Sequence, residues 1–447
     1  MLSGAGTGGA TKYILNAIGR SFDSYTFTDI SSSFFENAAE ALSPWADRIV
    51  FKTCDAERDP VEQGFTQGAY DVVVAYMVLH ATARLDESVR NLRKLLRPGG
   101  FLLIGEGSSD GMMQVGAGFI FGTLPGWWRG VDEGRTLSPL VNAAQWDDIL
   151  KRNGFSGIDT MSPPKLLDTF GITLFVTQAV DARIELARNP LSFPVASSVK
   201  DVILVGGQTP AVSKLARGID SLLSGLGCQV HAYPTLENMD VDKVMSPDAK
   251  IISLADLDHP VFQDITPERW YSFRRLFEGQ KSLLWLTKGR LRDEPYHNMT
   301  VGFGRSAVHE DDDLHVQYLD IADVGQVDAK TVVEAFLRFN AKQLQSWDIL
   351  HAVEPEIVID EEGRELVPRL TMIPAANNRL NSTRRLIDHE VDVRKSAVEL
   401  VQDGGSCFVR QLSRYDERLG GARYVVLINS LPLFYLLLFV RKGNKSC

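Results

Sequence analysis

Gly4-Ala5-Gly6-Thr7-Gly8-Gly9 runs directly into Ala10-Thr11-Lys12-Tyr13-Ile14-Leu15-Asn16-Ala17-Ile18, whose apolar residues recur at helical spacing. A glycine-rich loop that opens a helix leaves main-chain N–H groups free and lets the backbone approach a ligand, as a nucleotide-like group requires. Alone, such a stretch reads more readily as a plain glycine turn, so its neighbours decide. Tyr25-Thr26-Phe27-Thr28-Asp29 is a strand ending in an acid about 20 residues after the glycines, where a carboxylate accepts ribose hydroxyls. Arg48 to Lys52 is a second strand, followed by Asp55, and Tyr70 to Tyr76 is a third, an apolar run of the buried parallel type. A helix over Leu85–Leu96, the turn Arg97-Pro98-Gly99-Gly100 and a strand over Phe101–Glu106 continue the alternation. The pattern predicts an α/β fold: a doubly wound parallel sheet with its site at the C-terminal ends of the strands.

A second α/β series follows the Pro- and Ser-containing link at 189–194. Val202–Gly207, Gln229–Tyr233, Ile251–Leu254 and Ser282–Leu286 read as strands, with helices over Ser213–Leu223 and Pro267–Phe277. The 447 residues are enough for two or three domains at about 150 residues each. With 47 Lys and Arg against 57 Asp and Glu, the net charge of −10 argues against general nucleic-acid binding. Cys54, Cys228, Cys407 and Cys447 lie far apart with no metal-ligand spacing, so no metal site is expected. Those cysteines and the lack of a signal-peptide pattern lead us to expect a cytoplasmic protein. The apolar run Tyr424–Val440 is at the short limit for a bilayer span and is broken by Asn429 and Pro432; it reads as an aberrant tail rather than an anchor.

Four spaced motifs carry a resemblance. Gly4–Gly9, Tyr25–Ser31, Tyr76-Met77-Val78-Leu79-His80-Ala81-Thr82 and Leu96–Gly100 followed by Glu106 resemble class I S-adenosylmethionine (SAM)-dependent methyltransferases. They resemble most the C-methyltransferase domain of fungal highly reducing polyketide synthases, and the likeness continues through Trp127-Trp128, Arg135–Pro139 and Gln145-Trp146. It implies a methyl acceptor that is the α-carbon of a β-ketoacyl chain on the phosphopantetheine arm of an acyl carrier protein. That carbon is acidified by two carbonyls, so a histidine base suffices to form the enolate. By resemblance, His80 and Glu106 form the catalytic dyad, the acid orienting the imidazole. Gly4, Gly6 and Gly8 would admit the methionine part of SAM, Asp29 would hold the ribose, and Asp55 would meet the adenine amino group. Trp127 and Trp128 line the acyl entrance or simply pack locally. One departure stands out: only Met1-Leu2-Ser3 precedes Gly4, with Leu2 where the family has an acid. The central first strand is therefore expected to be missing, and SAM binding by this chain to be weak or absent.

The second half resembles the structural, non-catalytic half of a polyketide synthase ketoreductase over about residues 200–375. Gly206-Gly207-Gln208-Thr209-Pro210 is a poor dinucleotide motif, and no tyrosine in the chain has lysine four residues on, as short-chain reductases require. The expected organisation is thus a SAM-dependent methyltransferase domain at 1–185, a linker at 186–200, a structural ketoreductase-like domain at 201–380, a linker at 381–423 and the tail at 424–447. A catalytic ketoreductase, an enoylreductase and an acyl carrier protein are the implied partners. The alternative is an inactive scaffold in which neither nucleotide-type fold works.

Overall fold

The computed structural model describes residues 1–110, 112–192, 199–246, 249–278, 281–290, 294–381, 384–385, 387–390, 398–403, 406–411 and 424–427. Met1–Val367 form one compact unit and Pro368–Cys447 a second.

The first unit holds two seven-stranded sheets. In the first, β1 (Leu2–Ser3), β2 (Tyr25–Asp29), β3 (Ile49–Thr53), β4 (Tyr70–Tyr76), β5 (Leu96–Gly107), β6 (Thr160–Met161) and β7 (Ile172–Gln178) lie in the order β3-β2-β1-β4-β5-β7-β6. β1 to β5 are parallel, and β7 runs antiparallel to both β5 and β6. The turn expected at 97–100 lies inside the long β5, which pairs with β4 at Leu96 and resumes from Phe101 after a register shift.

The expected absence of the first strand is corrected here. Leu2 pairs with Phe27 on one side and Val74 on the other, and Ser3 with Ala75. The Met1 amine donates to the Val72 carbonyl at 2.9 Å, and the Val74 N–H donates to the Met1 carbonyl at 2.8 Å. Two residues suffice because ladders on both flanks satisfy them and because Leu2, 1% exposed, fills the core between its neighbours.

Helices cover both faces. Gly9–Ile18 and Phe35–Ala41 pack on the β1–β3 part through Leu15, Phe27, Ala38 and Leu42. Leu85–Leu95 and Ala143–Arg152 pack on the opposite face with Val73, Ala75, Leu92, Leu102 and Trp146. The charges of Leu85–Leu95, with Asp86 and Glu87 in the first turn and Arg93 and Lys94 in the last, complement its dipole.

The second sheet comprises β8 (Asp201–Val205), β9 (Gln229–Tyr233), β10 (Ala249–Ser253), β11 (Lys281–Lys288), β12 (Leu314–Ile321), β13 (Glu356–Ile359) and β14 (Glu365–Leu366), ordered β14-β13-β12-β11-β10-β8-β9. All but β14 are parallel. Helices Pro210–Gly225 and Ala329–Asn340 bury Val212, Ile219, Val332 and Phe336 on one face. Pro267–Arg275 and His297–Glu310 bury Phe273 and Val301 against Trp285 on the other.

A seam joins the two sheets. The Leu350 N–H donates to the Pro98 carbonyl at 2.8 Å, Arg183 pairs with Asp348 at 2.9 Å, and Arg338 Nε donates to the Ala187 carbonyl at 2.7 Å. Gly99 must be glycine: at φ +85° a Cβ there would lie 2.4 Å from the Leu350 carbonyl oxygen. Helix Ala182–Arg188 straddles position 185 and buries Ile184 and Leu186 in the core of the second sheet.

The second unit contains helix Pro374–Asn381, an antiparallel pair of strands Val398–Asp403 and Ser406–Gln411, and a parallel pair Ile387–Glu390 and Tyr424–Leu427. The rest of the apolar tail, 428–447, and most of the 381–423 linker lie outside the described residues. Among the described residues, no helix is long and apolar enough to cross a membrane.

Candidate active site

The strand order of the first sheet reverses between β1 and β4, and that switch point opens a crevice at their C-terminal ends. The glycine loop fills one side of it. Gly4, Gly6 and Gly8 take φ of +65°, +53° and +84°, a left-handed series open to residues without a side chain. A Cβ on Gly4 would sit 2.4 Å from Val78 Cγ2, so the loop needs glycine there to close on the turn after β4. Over Gly6 and Gly9 a Cβ would meet nothing within 4 Å, which leaves open space above a main-chain cradle. That cradle leaves room for the polar end of a small ligand.

Asp29 ends β2 with its side chain buried. Its Oδ2 accepts the Gly6 N–H at 2.9 Å and its Oδ1 the Ser31 N–H at 3.0 Å, so the carboxylate clamps the glycine loop to the strand end. Asp55 lies one strand further out, brought near by the Cys54 N–H, which donates to the Asp29 carbonyl at 3.0 Å. Its Oδ1 accepts the Glu57 N–H at 2.9 Å, a local turn bond. Burial, with Asp55 adding to it, pushes the neighbouring Cys54 thiol up to about 11, which removes it as a nucleophile at neutral pH.

On the other side of the crevice, β4 ends in a tight turn. Met77 adopts φ +52°, a strained conformation for its side chain, with its N–H held by the Gly105 carbonyl at 2.8 Å. The 3₁₀ turn Leu79–Ala81 then presents His80. Glu106, 1% exposed near the end of β5, meets it: His80 Nδ1 lies 2.7 Å from Glu106 Oε2. The other oxygen, Oε1, accepts the Val78 and Leu79 N–H groups at 2.9 and 2.7 Å. One carboxylate thus fixes both the ring and the main chain that carries it. A proton on Nδ1 donates to that carboxylate, which leaves Nε2 as the nitrogen on the other side of the ring.

The residues expected to act together are therefore brought together: Gly4, Gly6, Gly8 and Asp29 on one wall, His80 and Glu106 on the other, with Asp55 beyond Asp29. Trp127 stacks on Phe121 at 5.7 Å and Trp128 donates to the Gly122 carbonyl, so both make local contacts. Residues without an assigned role also bear on the site. Arg135, its side chain 7% exposed, donates to the carbonyls of His80, Thr82 and Ala83 at 3.1, 2.5 and 3.1 Å and to that of Pro139 at 3.1 Å. Burial lowers its guanidinium from the ordinary arginine value, an effect that Glu133 opposes. Glu57 accepts the Ala83 N–H and pairs with Arg129. Arg135 lies in a stretch that carries the resemblance, but no spacing rule ties an arginine to carbonyls some fifty residues earlier, so its partners were not legible in the sequence.

Residues 3–102 match the family model described as a methyltransferase domain. With the sheet order and the glycine loop described above, that match gives the first sheet the Rossmann-like α/β fold of a class I methyltransferase. Across 413 residues, 92% of the chain, the protein is 61% identical to the highly reducing polyketide synthase bet1 of Neocamarosporium betae, and 60% identical to the highly reducing polyketide synthase sthA of Phaeosphaeria nodorum. The chain spans 14% of the length of each of these relatives. Among solved structures, the trans-methyltransferase CalH in complex with SAH is 38% identical, with a TM-score of 0.37 over 40% of this chain and 50% of that one.

Proposed function

We propose that the first domain transfers the methyl group of SAM to the α-carbon of a β-ketoacyl chain carried on an acyl carrier protein. The observation that carries this is the His80 Nδ1–Glu106 Oε2 contact of 2.7 Å, with Nε2 left free at the end of the sheet where ligands of this fold bind. Bound SAM supplies an electrophilic methyl on a sulfonium. His80 Nε2 takes the proton from the carbon between the two carbonyls, and Glu106 stabilises the resulting imidazolium through Nδ1. The enolate carbon so formed would be the nucleophile toward the sulfonium methyl, with SAH as the leaving group. Gly4, Gly6 and Gly8 would hold the methionine part, Asp29 the ribose side and Asp55 the adenine amino group. The acyl carrier protein, and catalytic ketoreductase and enoylreductase domains, are the partners on this reading.

For the second sheet we propose the non-catalytic role of a structural ketoreductase half, in a cytoplasmic synthase. Support comes from the loop after β8. Asp258, just past β10, accepts the Gly207 and Gln208 N–H groups on Oδ2 at 2.6 and 3.0 Å, and the Thr209 N–H and hydroxyl on Oδ1, both at 2.8 Å. The N–H groups that a dinucleotide phosphate uses in such folds are thereby taken. Buried free thiols at Cys54 and Cys228 fit a reducing compartment.

The test is transfer of label from [methyl-14C]SAM to acetoacetyl-pantetheine. Label in product with the native chain and none with His80→Ala supports the reading; equal label from both rejects it.

A further inference from the structure

The turn bearing His80 has little regular structure to hold it. It is one 3₁₀ turn after a strained residue, Met77, and Glu106 grips only its N–H side and the ring. Its carbonyl side points to Arg135, whose guanidinium spans the His80, Thr82 and Ala83 carbonyls. The same guanidinium lies close over Gly130, where a Cβ would come within 2.3 Å of its Cζ. Glu133 anchors the arrangement from both sides: its Oε2 lies 3.4 Å from Arg135 and accepts the Leu85 N–H at 2.8 Å, at the start of the helix that follows the turn. Arg135 arrives from the segment that carries Phe119, Ile120, Leu124 and Trp128, all exposed apolar side chains.

We infer that Arg135 is a positioning residue of the methyl-transfer site: by donating to the carbonyls of the His80 turn from the opposite side to Glu106, it fixes where His80 Nε2 points. This rests on the His80–Glu106 reading above. Arg135 touches neither cofactor nor acceptor on this account; it acts through His80. A guanidinium donates in several directions from one plane, which a lysine ammonium on a shorter reach does not reproduce.

The experiment uses the full chain with Arg135→Gln, Arg135→Lys, His80→Ala and, as a control, Arg152→Gln, which loses an exposed pair with Asp86. Three quantities are read: SAM affinity by calorimetry, kcat and KM for acetoacetyl-pantetheine, and the NMR resonance of the His80 Nδ1 proton with SAM bound. The expected result for Arg135→Gln is SAM affinity within about threefold of native, KM within about threefold, and kcat lowered roughly 10- to 100-fold. Its Nδ1–H signal broadens or moves upfield, Arg135→Lys falls between, and Arg152→Gln matches the native chain. Native kcat and an unshifted Nδ1–H signal in Arg135→Gln, with His80→Ala inactive, overturn the role of Arg135 alone. Full activity in His80→Ala overturns the dyad, and Arg135 with it. Equal loss of SAM binding and folding in both Arg135 variants makes the residue merely structural and also overturns the inference.

Discussion

The two sheets reach the same point of their topology in different chemical states. In each, a glycine loop after one strand faces the turn after its neighbour across the switch point, and the first glycine is pressed against that turn. A Cβ on Gly4 would strike Val78, and one on Gly206 would lie 2.9 Å from the Leu254 carbonyl carbon. The neighbouring turn makes the difference. After β4 it carries His80, bonded away from the loop to Glu106; after β10 it carries Asp258, which reaches back and takes three loop N–H groups. In the first loop a carboxylate holds only the Gly6 N–H, from the side. The two loops thus differ in how many of their N–H groups a carboxylate already holds: one in the first, three in the second.

The sharpest way to break this comparison is to remove the pair proposed as the base of the first crevice. His80→Ala and Glu106→Gln should each lower methyl transfer by about 10²–10⁴-fold, the usual worth of a positioned general base, with SAM affinity by calorimetry nearly unchanged. In the second crevice the matching change is Asp258→Ala. It strands three N–H groups and should cost about 2–4 kcal/mol in urea unfolding, given about 1.5–3 kcal/mol for each hydrogen bond to a charged group and partial rescue by water. Inorganic phosphate should then raise the melting temperature of the variant but not of the native chain.

Gly4→Ala probes what the two crevices share. The forced contact with Val78 and the φ of +65° should cost about 1–3 kcal/mol and weaken SAM binding, because the loop must shift to relieve the clash. The smallest effect concerns the link between the halves. Arg183 and Ser346, with hydrogen bonds to its side chain, hold the Asp348 carboxyl down at about 2. A depressed carboxyl contributes stability above its unfolded value near 4, and that contribution is lost as pH falls through about 2. The difference in urea midpoint between the native chain and Asp348→Asn should therefore be constant above pH 5 and vanish between pH 4 and 2.

Much of the first sheet was legible because its strands are apolar runs bounded by turn residues: Tyr25–Asp29 and Tyr70–Tyr76 fall where the sequence puts them. The His80–Glu106 pairing was legible only through the resemblance, which joins a residue just past one strand to one near the end of the next. β1 was missed because two residues carry no periodicity; only the ladders of β2 and β4 make Leu2 and Ser3 a strand. The grip of Asp258 on Gly207–Thr209 was invisible for a different reason: an acid some fifty residues away is found only by folding the sheet. Asp29, expected to face ribose, is seen to accept the Gly6 and Ser31 N–H groups, which shows that a motif names a residue without saying how many bonds it already makes.

The seam at Pro98–Gly99 has a consequence in time. At the ~5–20 residues per second of chain synthesis, the roughly 250 residues between Pro98 and Leu350 correspond to tens of seconds on the ribosome. Every strand of the first sheet is made before Leu350 exists, so the Pro98 carbonyl faces solvent while the second sheet is still being produced. Gly99, left-handed and without a side chain, keeps that spot vacant until its late neighbour arrives. The clasp between the halves is thus a closing event in the birth of the protein, and a bulkier residue at 99 would show itself first as a failure of maturation.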